Sequence, residues 1–208
     1  MWMAQHGVAG MVVYMAHYGP RRPPGGSTRL ISTNIPKSIE GVKQTVLDVR
    51  CAVAWLASRP EQFDTENLGL VGTSLGSLVG AVVAANEPRI KNVCLLLTGG
   101  GLVDAYYNHP KAEPYRPLVD LLGGKFTLKL LINPVDPLTY AKQLKTKNLL
   151  MICASRDDIV PPSAAKVLWE ATGKQKIVWY DSTHVGVAVF MMPLLREMTD
   201  HVRGTAKK

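Results

Sequence analysis

The segment GTSLG at residues 72–76 places Ser74 between two glycines. A short apolar run precedes this segment and small or apolar residues follow it to Ala85, which predicts a strand, a tight turn and a helix. A serine at the apex of such a turn projects its hydroxyl clear of the sheet, and the glycines let strand and helix approach closely. The amide of Leu75, first in the helix, would point at an adjacent oxyanion. The segment therefore predicts a nucleophilic serine and one oxyanion-hole donor.

A glycine-rich turn between a strand and a helix is also typical of nucleotide-binding folds, where it holds phosphate groups. Residues 72–76 lack the lysine of a P-loop and the third glycine of a dinucleotide-binding fingerprint. For this reason we favour the nucleophile over a phosphate site.

Two further residues could complete the chemistry, because a serine nucleophile needs a base to take its proton and an acid to orient that base. Asp157 follows the apolar run NLLMICA at residues 148–154. His184 follows a shorter predicted strand at residues 176–180. Since the carboxyl ends of parallel strands meet at one edge of a sheet, we expect Ser74, Asp157 and His184 to lie together as a catalytic triad.

The neighbouring Asp158 is an alternative acid, in which case Asp157 would only form the turn. The register of the segment DDIVP, with valine and proline three and four residues after Asp157, favours Asp157. His6, His109 and His201 have no comparable context, and no spacing of histidine, cysteine and acidic residues suits a metal. We therefore predict no metal and no cofactor.

Strand and helix patterns alternate along most of the chain. Residues 38–59 carry valine and leucine at intervals of four and three, which predicts a long helix that ends before Pro60. Other predicted strands lie at residues 8–15 and 93–97, and other predicted helix segments at residues 1–7, 163–172 and 193–202. This alternation predicts an α/β fold, a three-layer sandwich with a mostly parallel sheet between helices.

Residues 101–147 differ from the rest because prolines interrupt their helical apolar pattern. We predict one domain over residues 1–208, with residues 101–147 as a helical insert or cap that covers the site and sets substrate preference. Tyr106 and Tyr107 are predicted substrate contacts. Alternatively, the aromatic residues of this segment form its own small core.

The composition is that of a globular protein. The chain has 24 basic and 16 acidic residues, a net charge of +8, but the basic residues are scattered and form no stripe with aromatic residues. No apolar run reaches the roughly 18 residues of a membrane span. The three cysteines lie in predicted helix and strand segments, as expected for reduced core thiols. We predict no nucleic-acid partner, no membrane partner and a cytoplasmic location.

The segments GTSLG, SRDDIVPP and STHVG resemble, in order and context, the nucleophile elbow, acid loop and histidine loop of the α/β-hydrolase superfamily. The resemblance is closest to bacterial esterases and dienelactone-hydrolase-like proteins, and it covers nearly all of the chain. It implies that Ser74 is the nucleophile, Asp157 the acid and His184 the base of a carboxylesterase. Such an enzyme forms an acyl-enzyme on small-molecule esters with short acyl groups.

Alternatives to an esterase remain open. The same triad supports thioester, peptide and dienelactone hydrolysis, as well as acyl transfer. A catalytically silent hydrolase-like scaffold that serves as a binding or oligomeric module is an alternative from a different class.

The amino-terminal strands that are usual in the superfamily have no counterpart in this sequence. Members usually have three more strands before the helix with which this chain opens, and the third lies beside the strand before the nucleophile. Three explanations are open for the edge that this exposes. Residues 8–15 move against the strand before Ser74, a second subunit of a homo-oligomer covers the edge, or the sequence is a fragment.

The missing strands would also supply the second oxyanion-hole amide. Candidate replacements are the Tyr18 hydroxyl, the His17 side chain and the amides of the turn at residues 18–19. Prolyl-oligopeptidase-like relatives use a tyrosine hydroxyl in this role. Alternatively, Tyr18 packs under the proline-rich loop that follows it, and His17 is a substrate contact.

Overall fold

The computed structural model describes residues 2–25, 29–32, 34–107, 109–121 and 123–204. At its centre is a parallel sheet of strands β1 (Gly69–Thr73), β2 (Asn92–Leu96), β3 (Asn148–Ala154) and β4 (Lys176–Tyr180). The strands lie side by side in the order in which they occur in the chain. Strands β3 and β4 have the predicted bounds.

Helices fill the segments between the strands. The α-helices are α1 (Trp2–Gln5), α2 (Ile35–Ala57), α3 (Leu75–Asn86), α4 (Leu102–Tyr107), α5 (Arg116–Leu121), α6 (Gly124–Ile132), α7 (Ala141–Lys145), α8 (Pro162–Ala171) and α9 (Met191–Val202). Short 3-10 helices span Gly19–Arg21, Thr65–Asn67, Pro110–Tyr115, Asn133–Val135, Pro137–Tyr140 and Gly186–Phe190. In the described part of the chain, no helix has the length and apolar character needed to cross a membrane.

Alternate residues of the central strands face two different cores. Val93 and Leu95 of β2 lie in the core that α2, α3 and α8 cover. Cys94 and Leu96 lie in the core that α9 covers. Because both faces are covered, β2 is buried at every residue and reads as a continuous apolar run. The predicted α/β fold, a parallel sheet between two layers of helices, is confirmed.

Helix α2 begins three residues before its predicted start. The Asn34 side chain caps it by accepting a hydrogen bond from the Lys37 amide at 3.1 Å, and Pro36 occupies its first turn. Proline tolerates this position, because the first amides of a helix lack partners in any case. The helix start is thus set by its cap rather than by its apolar stripe.

The predicted strand at residues 8–15 is wrong. Val8 packs on the α9 side of the sheet and Met15 on the α2 side, so the segment passes from one face to the other. It has no strand conformation, and Val12 exposes 80% of its surface. An apolar run becomes a strand only beside a partner strand, and this segment has none.

One edge of β1 is consequently open. In the described ranges β1 pairs only with β2, and Val71 in its middle is 39% exposed. The proposal that residues 8–15 move against the strand before Ser74 is therefore wrong for this structure. Met1, part of the predicted opening helix, lies outside the described residues.

Residues 102–145 contain α4 to α7 and three of the 3-10 helices. The described part of this segment contributes no strand to the sheet. Its role as a cap stays a prediction.

The three cysteines are free thiols. Cys94 and Cys153 are buried in β2 and β3, and burial raises the pKa of each thiol to about 12. Cys51 is exposed on α2, so the prediction of a core thiol is wrong for this residue. The apolar stripe of α2 packs into the core beside α3, with Val42 and Val53 buried, and Cys51 lies outside that stripe.

Candidate active site

Ser74 occupies a strained turn between β1 and α3. Its backbone angles are φ 53° and ψ −123°, in a region that residues with a side chain rarely adopt. Its amide donates a hydrogen bond to the Leu96 carbonyl oxygen at 2.8 Å, which ties the turn to the end of β2. A Cβ atom on Gly72 would lie 2.3 Å from the Gly76 carbonyl oxygen. Only glycine fits at position 72, because strand and helix approach so closely there.

His184 reaches Ser74 from the loop after β4. Its Nε2 atom lies 2.8 Å from Ser74 Oγ. Its Nδ1 atom lies 2.8 Å from Asp157 Oδ2 and 2.9 Å from Oδ1. A carboxylate can only accept, so the neutral imidazole carries its proton on Nδ1 and leaves Nε2 to accept the serine hydroxyl. The three residues form one continuous chain of hydrogen bonds.

Asp157 is held by its own loop. Its Oδ1 atom accepts hydrogen bonds from the amides of Ile159 at 2.8 Å and Val160 at 2.7 Å. Both Asp157 and His184 are buried, whereas Asp158 is exposed. Of the two aspartates, the structure brings Asp157 to the histidine, and the turn at residues 157–160 fixes the carboxylate in that orientation.

Leu75 begins α3 directly after Ser74. The first amides of a helix have no acceptor within the helix, and the helix dipole makes this end electropositive. The Leu75 amide is therefore suited to an oxyanion at Ser74, as predicted. Its function as an oxyanion donor stays a prediction.

Tyr18 and His17 lie in a turn beside α2. The preceding Ala16 amide donates to Thr45 Oγ1 at 3.0 Å, and the Tyr18 amide donates to Met15 at 3.0 Å. Among the described residues no hydrogen bond joins either predicted side chain to residues 72–76. The roles of Tyr18 and His17 as second donor or substrate contact stay predictions.

The two predicted tyrosine contacts of α4 differ. The Tyr106 hydroxyl donates to the Ile159 carbonyl oxygen in the acid loop. The Tyr107 hydroxyl donates to Asp120 Oδ1 at 2.6 Å, within the helical segment itself. This hydrogen bond raises the pKa of Tyr107. Tyr106 therefore lies next to the candidate site, whereas Tyr107 links two helices beside it.

Two residues near the site escaped the sequence reasoning. The buried Ser77 hydroxyl donates to the Ser74 carbonyl oxygen at 2.6 Å and secures the first turn of α3. Asp136 is buried, and its carboxylate accepts from the Gly101 and Leu102 amides at 2.9 and 2.7 Å, where α4 begins. The Asp-Pro pair at 136–137 is a helix-start signal, but its partners 34 and 35 residues away are not readable from it.

The described ranges contain no cluster of three or more histidine, cysteine or acidic side chains that could hold a metal ion. The hydrogen bonds among Asp157, His184 and Ser74 suit these groups to moving a proton and orienting a nucleophile.

Residues 40–182 match the model of the prolyl oligopeptidase family. This chain belongs to the prolyl oligopeptidase family. The matched span is more than half of the chain and includes Ser74 and Asp157, and it ends two residues before His184. The membership of the α/β-hydrolase superfamily that was inferred from the three loops is confirmed. The match places the chain in one family of that superfamily, the prolyl oligopeptidase family.

Solved structures of esterases share the fold of this prolyl oligopeptidase family member. Acetyl xylan esterase 1 from Thermoanaerobacterium sp. matches with a TM-score of 0.61 and 22% identity, over 84% of this chain and 60% of that one. An esterase from Pyrococcus furiosus matches with a TM-score of 0.55 and 19% identity, over 77% and 61%. At these identities the likeness shows the fold alone.

A curated relative comes from Mycobacterium tuberculosis strain H37Rv and is an uncharacterised protein. It is 27% identical over 154 residues, which is 71% of this chain and 35% of the relative. The chain thus spans about a third of the length of this relative and about 60% of the length of the two esterases.

Proposed function

We propose that this protein is a serine hydrolase that cleaves carboxylic esters of small molecules through an acyl-enzyme. The observation that carries the proposal is the chain of hydrogen bonds from Asp157 through His184 to Ser74, with both distances at the imidazole 2.8 Å. The strained backbone of Ser74 supports it, since such strain is concentrated at functional sites.

The reaction follows from this geometry. His184 Nε2 takes the proton of Ser74 as its oxygen attacks the ester carbonyl, and Asp157 holds the imidazolium that forms. The Leu75 amide donates to the oxyanion of the tetrahedral intermediate. As the intermediate collapses, the C–O bond breaks and His184 returns the proton to the leaving alcohol. Water then attacks the acyl-enzyme by the same route and frees the serine.

An ester is favoured by the similar folds, which carry the names of esterases. An alcohol is also a better leaving group than an amine, so ester cleavage demands less of the oxyanion hole. This matters because the second oxyanion donor stays a prediction, whereas the Leu75 amide lies at the start of α3 directly after Ser74. Removing one donor typically costs about 10²–10³ in rate.

A second candidate function is peptide hydrolysis, which the match to the prolyl oligopeptidase family favours. The same proton transfers serve an amide, whose nitrogen must be protonated by His184 before it leaves. The two activities separate experimentally by comparing kcat/KM on p-nitrophenyl acetate and on a proline-containing peptide p-nitroanilide. A higher value on the anilide would assign the protein to the peptidases.

The proposal is tested with p-nitrophenyl acetate and butyrate and a fluorophosphonate probe. Wild-type protein should hydrolyse the esters and be labelled at Ser74, and Ser74→Ala should lose labelling and at least about 10³-fold in kcat. Ser58→Ala is the matched control, since this exposed hydroxyl caps the end of α2 by donating to the Trp55 carbonyl oxygen. Equal rates for wild type and Ser74→Ala would refute the proposal.

A further inference from the structure

A side chain of helix α4 reaches the acid loop. The Tyr106 hydroxyl donates to the Ile159 carbonyl oxygen, across 53 positions of the chain. The amide of the same residue, Ile159, donates to Asp157 Oδ1 at 2.8 Å. One loop residue is therefore held at its carbonyl by the helical segment and at its amide by the carboxylate that contacts His184.

The other end of α4 is anchored as well. The buried carboxylate of Asp136 accepts from the Gly101 and Leu102 amides and from the Leu138 amide at 2.9 Å. Asp104 on the same helix pairs with Lys125 at 2.7 Å and Lys129 at 2.6 Å, both on α6. Tyr106 thus projects from a helix that is fixed at its start and braced along its side.

The surroundings of Tyr106 suit a permanent donor. Burial and the nearby charge of Asp157 raise the pKa of this tyrosine to about 12. The hydroxyl therefore keeps its proton at every pH at which a hydrolase of this kind would work, and it can donate to a carbonyl oxygen throughout.

We propose that Tyr106 is a positioning residue that holds the acid loop through the Ile159 carbonyl, so that Asp157 stays on His184 Nδ1. This role rests on the proposed triad function. It differs from the substrate contact predicted from the sequence, because the hydroxyl is already engaged by the protein. In this role, the helical segment at residues 102–145 influences catalysis by holding Asp157 in place. This is separate from its predicted role as a cap over the site.

A substrate contact and a positioning residue have different kinetic signatures. Loss of a substrate contact raises KM, whereas a misplaced acid lowers kcat and leaves KM nearly unchanged. The Nδ1 proton shared with Asp157 also has a far-downfield proton resonance that can be recorded without substrate. Its exchange with water reports how firmly the aspartate and histidine are held together.

The test is Tyr106→Phe, which removes only the hydroxyl. Tyr140→Phe is the matched control, since its hydroxyl also donates to a backbone carbonyl oxygen, that of Pro134 at 2.8 Å, away from the acid loop. Because the variant loses a single neutral hydrogen bond, Tyr106→Phe should lower kcat roughly five- to tenfold, with KM within about twofold. The downfield resonance should broaden through faster exchange. Tyr140→Phe should keep kcat, KM and the resonance, with a similar change in melting temperature.

Three outcomes would overturn the role of Tyr106. These are a raised KM with unchanged kcat, a kcat equal to that of Tyr140→Phe, and a resonance as sharp as in wild type. If wild-type protein neither cleaves esters nor takes the fluorophosphonate label, the proposed hydrolase function fails. The resonance comparison would still decide whether Tyr106 holds Asp157 on His184.

Discussion

The two sides of Ser74 are built very differently. On one side, β2, β3 and β4 continue the sheet, helices cover both faces, and the loops after β3 and β4 bring Asp157 and His184 to the serine. On the other side, β1 ends the sheet with Val71 partly exposed, and residues 8–15 pass by without pairing. We call these the closed side and the open side.

The difference separates two parts of the proposed catalysis. Everything needed to move a proton lies on the closed side, where each group has partners at hydrogen-bond distance. Stabilisation of the oxyanion depends on Leu75 at the boundary and on a second donor that was predicted for the open side. Among the described residues, neither the Tyr18 nor the His17 side chain is hydrogen-bonded to residues 72–76. The groups proposed for proton transfer are joined by hydrogen bonds, whereas the second oxyanion donor stays a prediction, and the following experiments can break or sharpen that contrast.

The largest effect is expected on the closed side from Asp157→Asn. An amide cannot hold the imidazolium or enforce the Nδ1 tautomer, so kcat should fall by roughly 10⁴-fold. Steady-state kinetics on p-nitrophenyl butyrate would measure it, with Asp158→Asn expected to stay near wild type. A larger loss in Asp158→Asn would mean that the neighbouring carboxylate is the working acid.

A buried ion pair at the end of α3 should give a large effect on stability. Glu87 has a side chain only 1% exposed, pairs with Arg89 at 2.7 Å and reaches Arg50 on α2 at 3.4 Å. Its backbone oxygen accepts from Lys147, just before β3. Breaking a buried pair costs about 3–5 kcal/mol, and Glu87→Gln should fall at the lower end because both arginines are partly exposed.

The contribution of Glu87 to the free energy of unfolding should depend on pH in a defined direction. The Arg89 hydrogen bond lowers the pKa of Glu87 from 4.5 to about 2. A carboxylate with a lowered pKa stabilises the fold fully above pH 4.5, and this contribution is lost as the pH falls towards 2. In urea unfolding, the difference between wild type and Glu87→Gln should shrink over that interval. Glu66→Gln, which removes the exposed pair with Lys91, should cost under about 1 kcal/mol.

Core truncations should show the contrast between the sides directly. Ile152 in β3 is fully buried and Val71 in β1 is 39% exposed. Ile152→Ala should lower the free energy of unfolding by about 2–5 kcal/mol, and Val71→Ala by less than about 1 kcal/mol. Denaturant unfolding of both variants decides it. A cost for Val71→Ala that rivals Ile152→Ala would mean that the open side is covered in solution.

What covers the open edge can be tested by molecular mass. A homo-oligomer formed through this edge stays a prediction, motivated by the unpaired backbone of β1. Light scattering should then give a multiple of the 22.7 kDa chain mass, and Val71→Lys should reduce it to a single chain. A monomeric wild type at high protein concentration would contradict this prediction.

The same contrast explains what could be predicted from the sequence. Ser74, Asp157 and His184 were found because each follows a strand within a short local motif, and β3 and β4 because buried parallel strands are continuous apolar runs. The apolar run at residues 8–15 misled for a physical reason: strand formation requires a neighbour, and the sequence does not show whether one is present.

The connections missed by the sequence analysis are those between distant segments. Asp136 and Tyr106 act through backbone groups of Gly101, Leu102 and Ile159. Every residue type has a backbone carbonyl group and nearly every one has an amide, so the sequence cannot predict which backbone group a side chain will contact. These contacts are seen only in the folded structure, where the helical segment and the acid loop lie side by side.

The order of the strands has a consequence for how the protein folds. Each strand pairs with its neighbour in the chain, so paired residues are at most 56 positions apart, whereas the bond from His184 to Ser74 joins residues 110 positions apart. Contacts of such separation carry the largest loop-closure entropy and form late. We therefore expect a refolding chain to acquire its sheet before its reactive serine. The return of fluorophosphonate reactivity would then time the last step of folding rather than the first collapse.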